Sequence, residues 1–157
     1  MQVRLAGIKQ ESVTDGFGLR SVIYFQGCPH HCPGCHNPES HDPTAGYPAE
    51  TDDILDLLCS NRLIDGITLS GGEPLLQPQA ALALARGARL RGKTVWLYTG
   101  FTLDAILADP AQRLVLSYTD VLVDGVFVLA ERDLSLPFRG SRNQRLLTPT
   151  AWQALIG

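Results

Sequence analysis

Val22-Ile23-Tyr24-Phe25-Gln26-Gly27-Cys28-Pro29-His30-His31-Cys32-Pro33-Gly34-Cys35 carries an apolar run straight into three cysteines, separated by three residues and then by two. The run Val22–Phe25 reads as a buried strand. Pro29, Pro33 and Gly34 oppose a regular helix, so the cysteines belong to a loop that can turn its side chains inward. That loop leaves the C-terminal end of the strand, the position where α/β sheets and barrels carry their chemistry.

Three thiols so close together read as an iron-sulfur site, because thiolates are the ligands such centres select. A cubane 4Fe-4S cluster held by three cysteines keeps one iron free to bind something else. Two other chemistries use the same residues. His30, His31, His36 or His41 would complete a structural Cys3His zinc site. Cys32-Pro33-Gly34-Cys35 would serve as a dithiol redox pair or, outside the cytosol, as part of a disulfide, leaving the third thiol over. The fourth cysteine, Cys59, lies on the apolar face of a helix predicted over residues 52–59 and reads as core.

Upstream, residues 12–20 place Gly16 and Gly18 in a polar turn before the first strand. Downstream, Pro38, Pro43, Gly46 and Pro48 mark residues 36–50 as an extended loop. Thr51 is the expected N-cap of the next helix, with Asp52 and Asp53 in its first turn. A second strand, 66–69, runs into Ser70-Gly71-Gly72-Glu73-Pro74, a turn that exposes backbone amides and one carboxylate. On its own this turn is either a strand-to-helix connection or a cradle for a small ligand.

Residues 78–91 predict a helix with Arg86, Arg89 and Arg91 on its wet side. A third strand over 94–98 and a helix capped by Thr102 repeat the rhythm. Asp109-Pro110 breaks the region, 114–116 is a helical turn or a strand, and 120–125 is a fourth strand. Asp124 ends that strand as a rim acid or as part of an Asp-Gly turn. Arg139-Gly140-Ser141-Arg142-Asn143-Gln144-Arg145 is a basic loop, either solvated or turned to a partner or an anionic ligand. Thr148-Pro149 opens a short closing helix. Alternating strands and helices imply parallel strands with crossover helices, in too few units for a closed eight-stranded barrel.

The 157 residues suit one domain with its own core. A hydrophobic share of 45% with 18% charged residues is that of a water-soluble domain, and a net charge of -3 offers no general attraction to nucleic acid or membrane. Three basic against eight acidic side chains in residues 1–60 leave the C-terminal part more basic, an asymmetry that would guide docking. No signal peptide or membrane span is apparent, so the cytoplasm is the expected compartment.

With the cysteine triplet and Ser70-Gly71-Gly72-Glu73 both following strands, the chain resembles the radical S-adenosylmethionine (SAM) superfamily. Asp15-Gly16-Phe17-Gly18-Leu19-Arg20 narrows the resemblance to activating proteins of glycyl radical enzymes, which usually have proline where Phe17 stands. Gly27 through Asn37, Tyr98-Thr99-Gly100, Val121 through Gly125 and Leu136 through Arg145 look like the branch that serves anaerobic ribonucleotide reductase.

The resemblance implies an α/β fold, an incomplete TIM-type barrel forming a single radical SAM domain over residues 1–157. It implies a 4Fe-4S cluster on Cys28, Cys32 and Cys35, with SAM chelating the open iron. Gly34, Cys35, His36, Gly71, Gly72 and Glu73 would contact that cosubstrate, Glu73 through its positive amine. Reductive cleavage would give a 5'-deoxyadenosyl radical that takes hydrogen from a glycine of the reductase's catalytic subunit, with no general base. Flavodoxin or ferredoxin would be the low-potential donor. Gly34 stands where many superfamily members have an aromatic residue, so adenine needs another stacking surface. A radical SAM enzyme acting on a small molecule and a zinc-stabilised interaction module are the competing functions.

Overall fold

The computed structural model describes residues 1–156. Seven strands, β1 (Gln2–Ser12), β2 (Arg20–Phe25), β3 (Tyr47–Glu50), β4 (Gly66–Gly71), β5 (Thr94–Tyr98), β6 (Val121–Asp124) and β7 (Arg145–Leu147), form one sheet in the order β3-β1-β2-β4-β5-β6-β7. The four predicted strands, β2, β4, β5 and β6, are its parallel centre. Antiparallel strands flank them on both sides. The α/β reading therefore holds as a seven-stranded mixed sheet.

Alternation along the strands divides the sheet into two faces. Val3, Leu5, Ile23, Phe25, Ile67, Leu69, Val95, Leu97 and Leu122 point to one side, where they join the main core. Over them lie α1 (Thr51–Cys59), α2 (Pro78–Leu90), α3 (Leu103–Ala108), α4 (Pro110–Leu116) and α5 (Gln153–Ile156), which bring Ile54, Leu58, Leu84, Ile106, Val115 and neighbouring Trp152 into the same core. The intervening strand residues, among them Arg20, Thr68, Ser70, Trp96 and Tyr98, face the other side.

Three strands depart from the sequence reading. β3 lies in the region read as loop, and it holds Pro48 because an edge strand needs no ladder hydrogen bond from that residue. β1 has register shifts between Leu5 and Gly7 and between Lys9 and Ser12, which interrupt its alternation. β7 is three residues long and follows the basic loop. Asp109-Pro110 ends one helix and starts another, since the Asp109 carboxylate accepts from Ala111 N at 3.0 Å and Gln112 N at 3.2 Å. Thr51 is the first residue of α1, with Glu50 as its N-cap. No helix among the described residues is long and apolar enough to cross a membrane.

Arg20 organises the base of the open face. It is 1% exposed. It donates to Phe17 O, Ile67 O, Thr68 Oγ1, and both Thr94 Oγ1 and Thr94 O, tying the turn before β2 to β4 and β5. Burial lowers its pKa to about 10, against the raising influence of Asp120 and Asp65. Phe17 rests edge-on against Trp96 and Phe138, with ring centroids 5.3 and 5.0 Å away. Its aromatic body therefore has packing partners on both the sheet and the approach to the basic loop.

Candidate metal centre

β2 and β4 end side by side, with Phe25 opposite Gly71. Beyond them Gly72 N donates to Phe25 O at 3.1 Å and Glu73 N to Gly27 O at 2.7 Å, lacing the turn after β4 to the root of the cysteine loop. A Cβ on Gly72 would stand 2.8 Å from Phe25 O, so only glycine permits this approach. The loop is fixed on its far side as well. Gly27 N donates to Ser40 O, Cys28 N to His41 O, and Gln26 Nε2 to the carbonyls of Glu39 and Asp42.

Cys28, Cys32 and Cys35 are free, half-buried thiols. They line one cavity of about 230 Å³, together with His36, Gly71 and Gly72. Gly34, which is exposed, and Glu73, which is buried, are not among the residues that line it. Burial pushes the Cys28 thiol up; the backbone N–H of His30 draws it down, while the nearby Glu73 charge raises it further. Asn37 N donates to Cys35 Sγ at 3.4 Å. Such N–H···S bonds offset the negative charge that thiolate ligands bring to a cluster. Cys59 is elsewhere, packed against the main core as predicted.

Glu73 is 0% exposed. Its Oε1 accepts from His30 Nε2 at 2.7 Å and from Gly100 N at 2.8 Å, and its Oε2 accepts from Leu75 N at 2.9 Å. The Thr99 hydroxyl lies 2.9 and 2.8 Å from its two oxygens. A buried carboxylate satisfied this fully is a junction between the cysteine loop, its own turn and the end of β5. His30, weighed from sequence only as a zinc ligand, is the loop's arm of that junction.

The other histidines make ring contacts, and His41 Nε2 is buried without a hydrogen-bond partner. The His31 and His41 rings lie 5.1 Å apart, and His36 lies 5.5 Å from Phe127, in both cases edge to face. Among the described residues no three His, Cys, Asp or Glu side chains gather closely enough for a single metal ion. The three thiols ring a cavity instead of meeting at a point, a donor set that fits a polynuclear iron-sulfur cluster better than tetrahedral zinc.

At the rim, Asp124 is 1% exposed. Arg145 grips it bidentately, Nε to Oδ1 at 2.9 Å and Nη2 to Oδ2 at 2.5 Å, and Leu103 N donates to Oδ2 at 2.9 Å. The acid thus joins β6, β7 and the start of α3. Burial holds the Tyr98 phenol, which lines the cavity, above its ordinary range.

Residues 14–147 match the family model of the 4Fe-4S single cluster domain. The anaerobic ribonucleoside-triphosphate reductase-activating protein of Escherichia coli is 39% identical over 140 residues, 84% of this chain and 90% of the relative. That of Pasteurella multocida is 38% identical, covering 84% and 89%, and that of Enterobacteria phage T4 is 34% identical, covering 87% and 88%.

The chain belongs to the anaerobic ribonucleoside-triphosphate reductase-activating protein family. Of the eight candidate site residues read from the sequence of this family member, six line one cavity: Cys28, Cys32, Cys35, His36, Gly71 and Gly72. The sequence reading did not single out Phe127, and it named Gln144 only as part of the basic loop; both also line the cavity. Phe127 sits two residues beyond Asp124-Gly125, where position after a parallel strand was the available signal, and Gln144 lies in the basic loop before β7.

Proposed function

We propose that this chain activates the catalytic subunit of anaerobic ribonucleotide reductase by placing a glycyl radical on it, the partner being the enzyme for which its relatives are named. The observation that carries the reading is the meeting of Cys28, Cys32 and Cys35 with Gly71-Gly72 around one cavity at the C-terminal ends of parallel strands. The open sheet, with helices over its apolar face, would be the wall of an incomplete TIM-type barrel in a single domain over residues 1–157.

Cys28, Cys32 and Cys35 would hold the 4Fe-4S cluster as thiolates, with the amides of His30 and Asn37 offsetting charge on Cys28 and Cys35. Gly71, Gly72, Cys35 and His36 would bound the SAM site, and Gly34 would shape the loop beside it. Glu73 would fix the glycine turn and the loop through His30 and Gly100, with contact to the methionine amine requiring some of those bonds to open. Bound together, cluster and SAM would supply one-electron reductive chemistry directed at a glycine C–H bond of the partner. The residues around the cavity then have to exclude water and hold the reacting parts in place, and none is assigned as a general base. A flavodoxin or ferredoxin in the cytoplasm is the electron source this scheme needs.

The test is anaerobic incubation of the reconstituted chain with SAM, reductant and the reductase's catalytic subunit. The expected result is a glycine-centred radical, seen by electron paramagnetic resonance, that is lost with Cys28→Ala. A reductase that stays diamagnetic while SAM is cleaved would favour a small-molecule substrate.

A further inference from the structure

The cavity wall contains one ring whose surroundings are built around it. Phe127 is half-buried and lines the cavity. One glycine leaves room for it and another lies against its edge. A Cβ on Gly140 would stand 3.0 Å from Phe127 Cδ2 and 3.2 Å from Cε2, while a Cβ on Gly34 would make ordinary contact with Cε1 at 3.5 Å and be crowded by Leu129 Cδ1 at 2.9 Å. One of these glycines belongs to the cysteine motif and the other to the basic loop, so the ring is clasped between the two motifs. His36 closes edge-on against it.

The polar side chains of the basic loop hold the backbone on both sides of this ring. Gln144 Nε2 donates to Gly125 O at 3.1 Å, Asn143 Nδ2 to Val126 O at 2.7 Å, and Val128 N to Ser141 Oγ at 3.2 Å. Gln144 Oε1 accepts from Gly140 N at 2.9 Å, which sets the glycine against the ring. A side chain that merely filled space would need none of this fixing. Tyr98, the other aromatic residue lining the cavity, lies on the strand floor and stacks on Trp96 at 6.4 Å.

We infer that Phe127 is the flat apolar wall on which the adenine of SAM rests, and that Ser141, Asn143 and Gln144 position it. This rests on SAM being the cosubstrate, as proposed above. The aromatic surface absent at Gly34 is supplied in space from the loop after β6, which also brings Leu129 against Gly34. Base-on-ring stacking is tolerant of which aromatic residue provides the face, so a larger ring can replace Phe127 and a branched aliphatic one cannot.

The experiment is calorimetric titration of SAM, under anaerobic conditions, into the reconstituted holoprotein and its F127L, F127W, Y98L and N143A variants, with iron and sulfide measured for each. F127L should weaken SAM binding by about tenfold or more, F127W should stay within about threefold of the parent, and Y98L should weaken it less than F127L. N143A should weaken it by roughly threefold with cluster content unchanged. Should F127L fail to hold a cluster, F127W and N143A decide the matter. Unchanged binding in F127L or N143A overturns the inference, as does a larger loss in Y98L than in F127L. A parent holoprotein that does not bind SAM overturns the proposed function itself and this inference with it.

Discussion

The two faces of the same sheet are built from alternate residues of the same strands and do different work. Toward the helices, Ile23, Ile67, Leu69, Val95 and Leu97 are fully buried and apolar. Toward the open side the strands carry Arg20, Thr68, Ser70, Trp96 and Tyr98, and their C-terminal ends meet the cysteine loop. Hydrophobic burial is non-directional and can be concentrated on one face, whereas a site needs polar groups held in fixed directions. Stability and chemistry are thereby separated by a period of two.

The comparison predicts how each face fails. Cys32→Ala should abolish cluster incorporation and radical formation while leaving the apo-protein's far-UV circular dichroism and melting temperature near the parent's. A loss of fold would mean that the two faces are not separable. Leu84→Ala, on the helical side, should cost about 2–5 kcal/mol in urea unfolding of the apo-protein. The molecules that remain folded should still take up cluster, and a folded variant without cluster would break the division.

Two residues sharpen the boundary. Arg20→Met, at the base of the open face, strips donors from the carbonyls of Phe17, Ile67 and Thr94. It should cost about 1–3 kcal/mol by the same urea measurement. Glu73→Gln keeps the shape of the buried junction but cannot accept from His30, Thr99, Gly100 and Leu75 together, so a smaller loss, about 1–2 kcal/mol, is expected in the apo-protein. An unfolding midpoint equal to the parent's would instead give the carboxylate a role with cosubstrate alone.

Much of this arrangement was legible in the chain. The four parallel strands were visible because each is a short apolar run ending in a polar or glycine-rich turn. The candidate site was visible because its three thiols cluster in sequence and the glycine turn follows the neighbouring strand. β3 was hidden by Pro48, which is compatible with an edge, and β7 by its brevity. The connection of Glu73 to His30 spans 43 residues and appears only once β2 and β4 are paired. Phe127 was hidden for the same reason, since its partners Gly34 and Gly140 lie in separate motifs that meet only in the folded chain.

The most direct measurement is anaerobic reconstitution of the chain with iron and sulfide, followed by reduction and assay for 5'-deoxyadenosine from SAM, with Cys32→Ala alongside. The account predicts bound iron and sulfide in equal amounts and 5'-deoxyadenosine that disappears in the variant. Tightly bound zinc, with neither cluster nor 5'-deoxyadenosine, would contradict it.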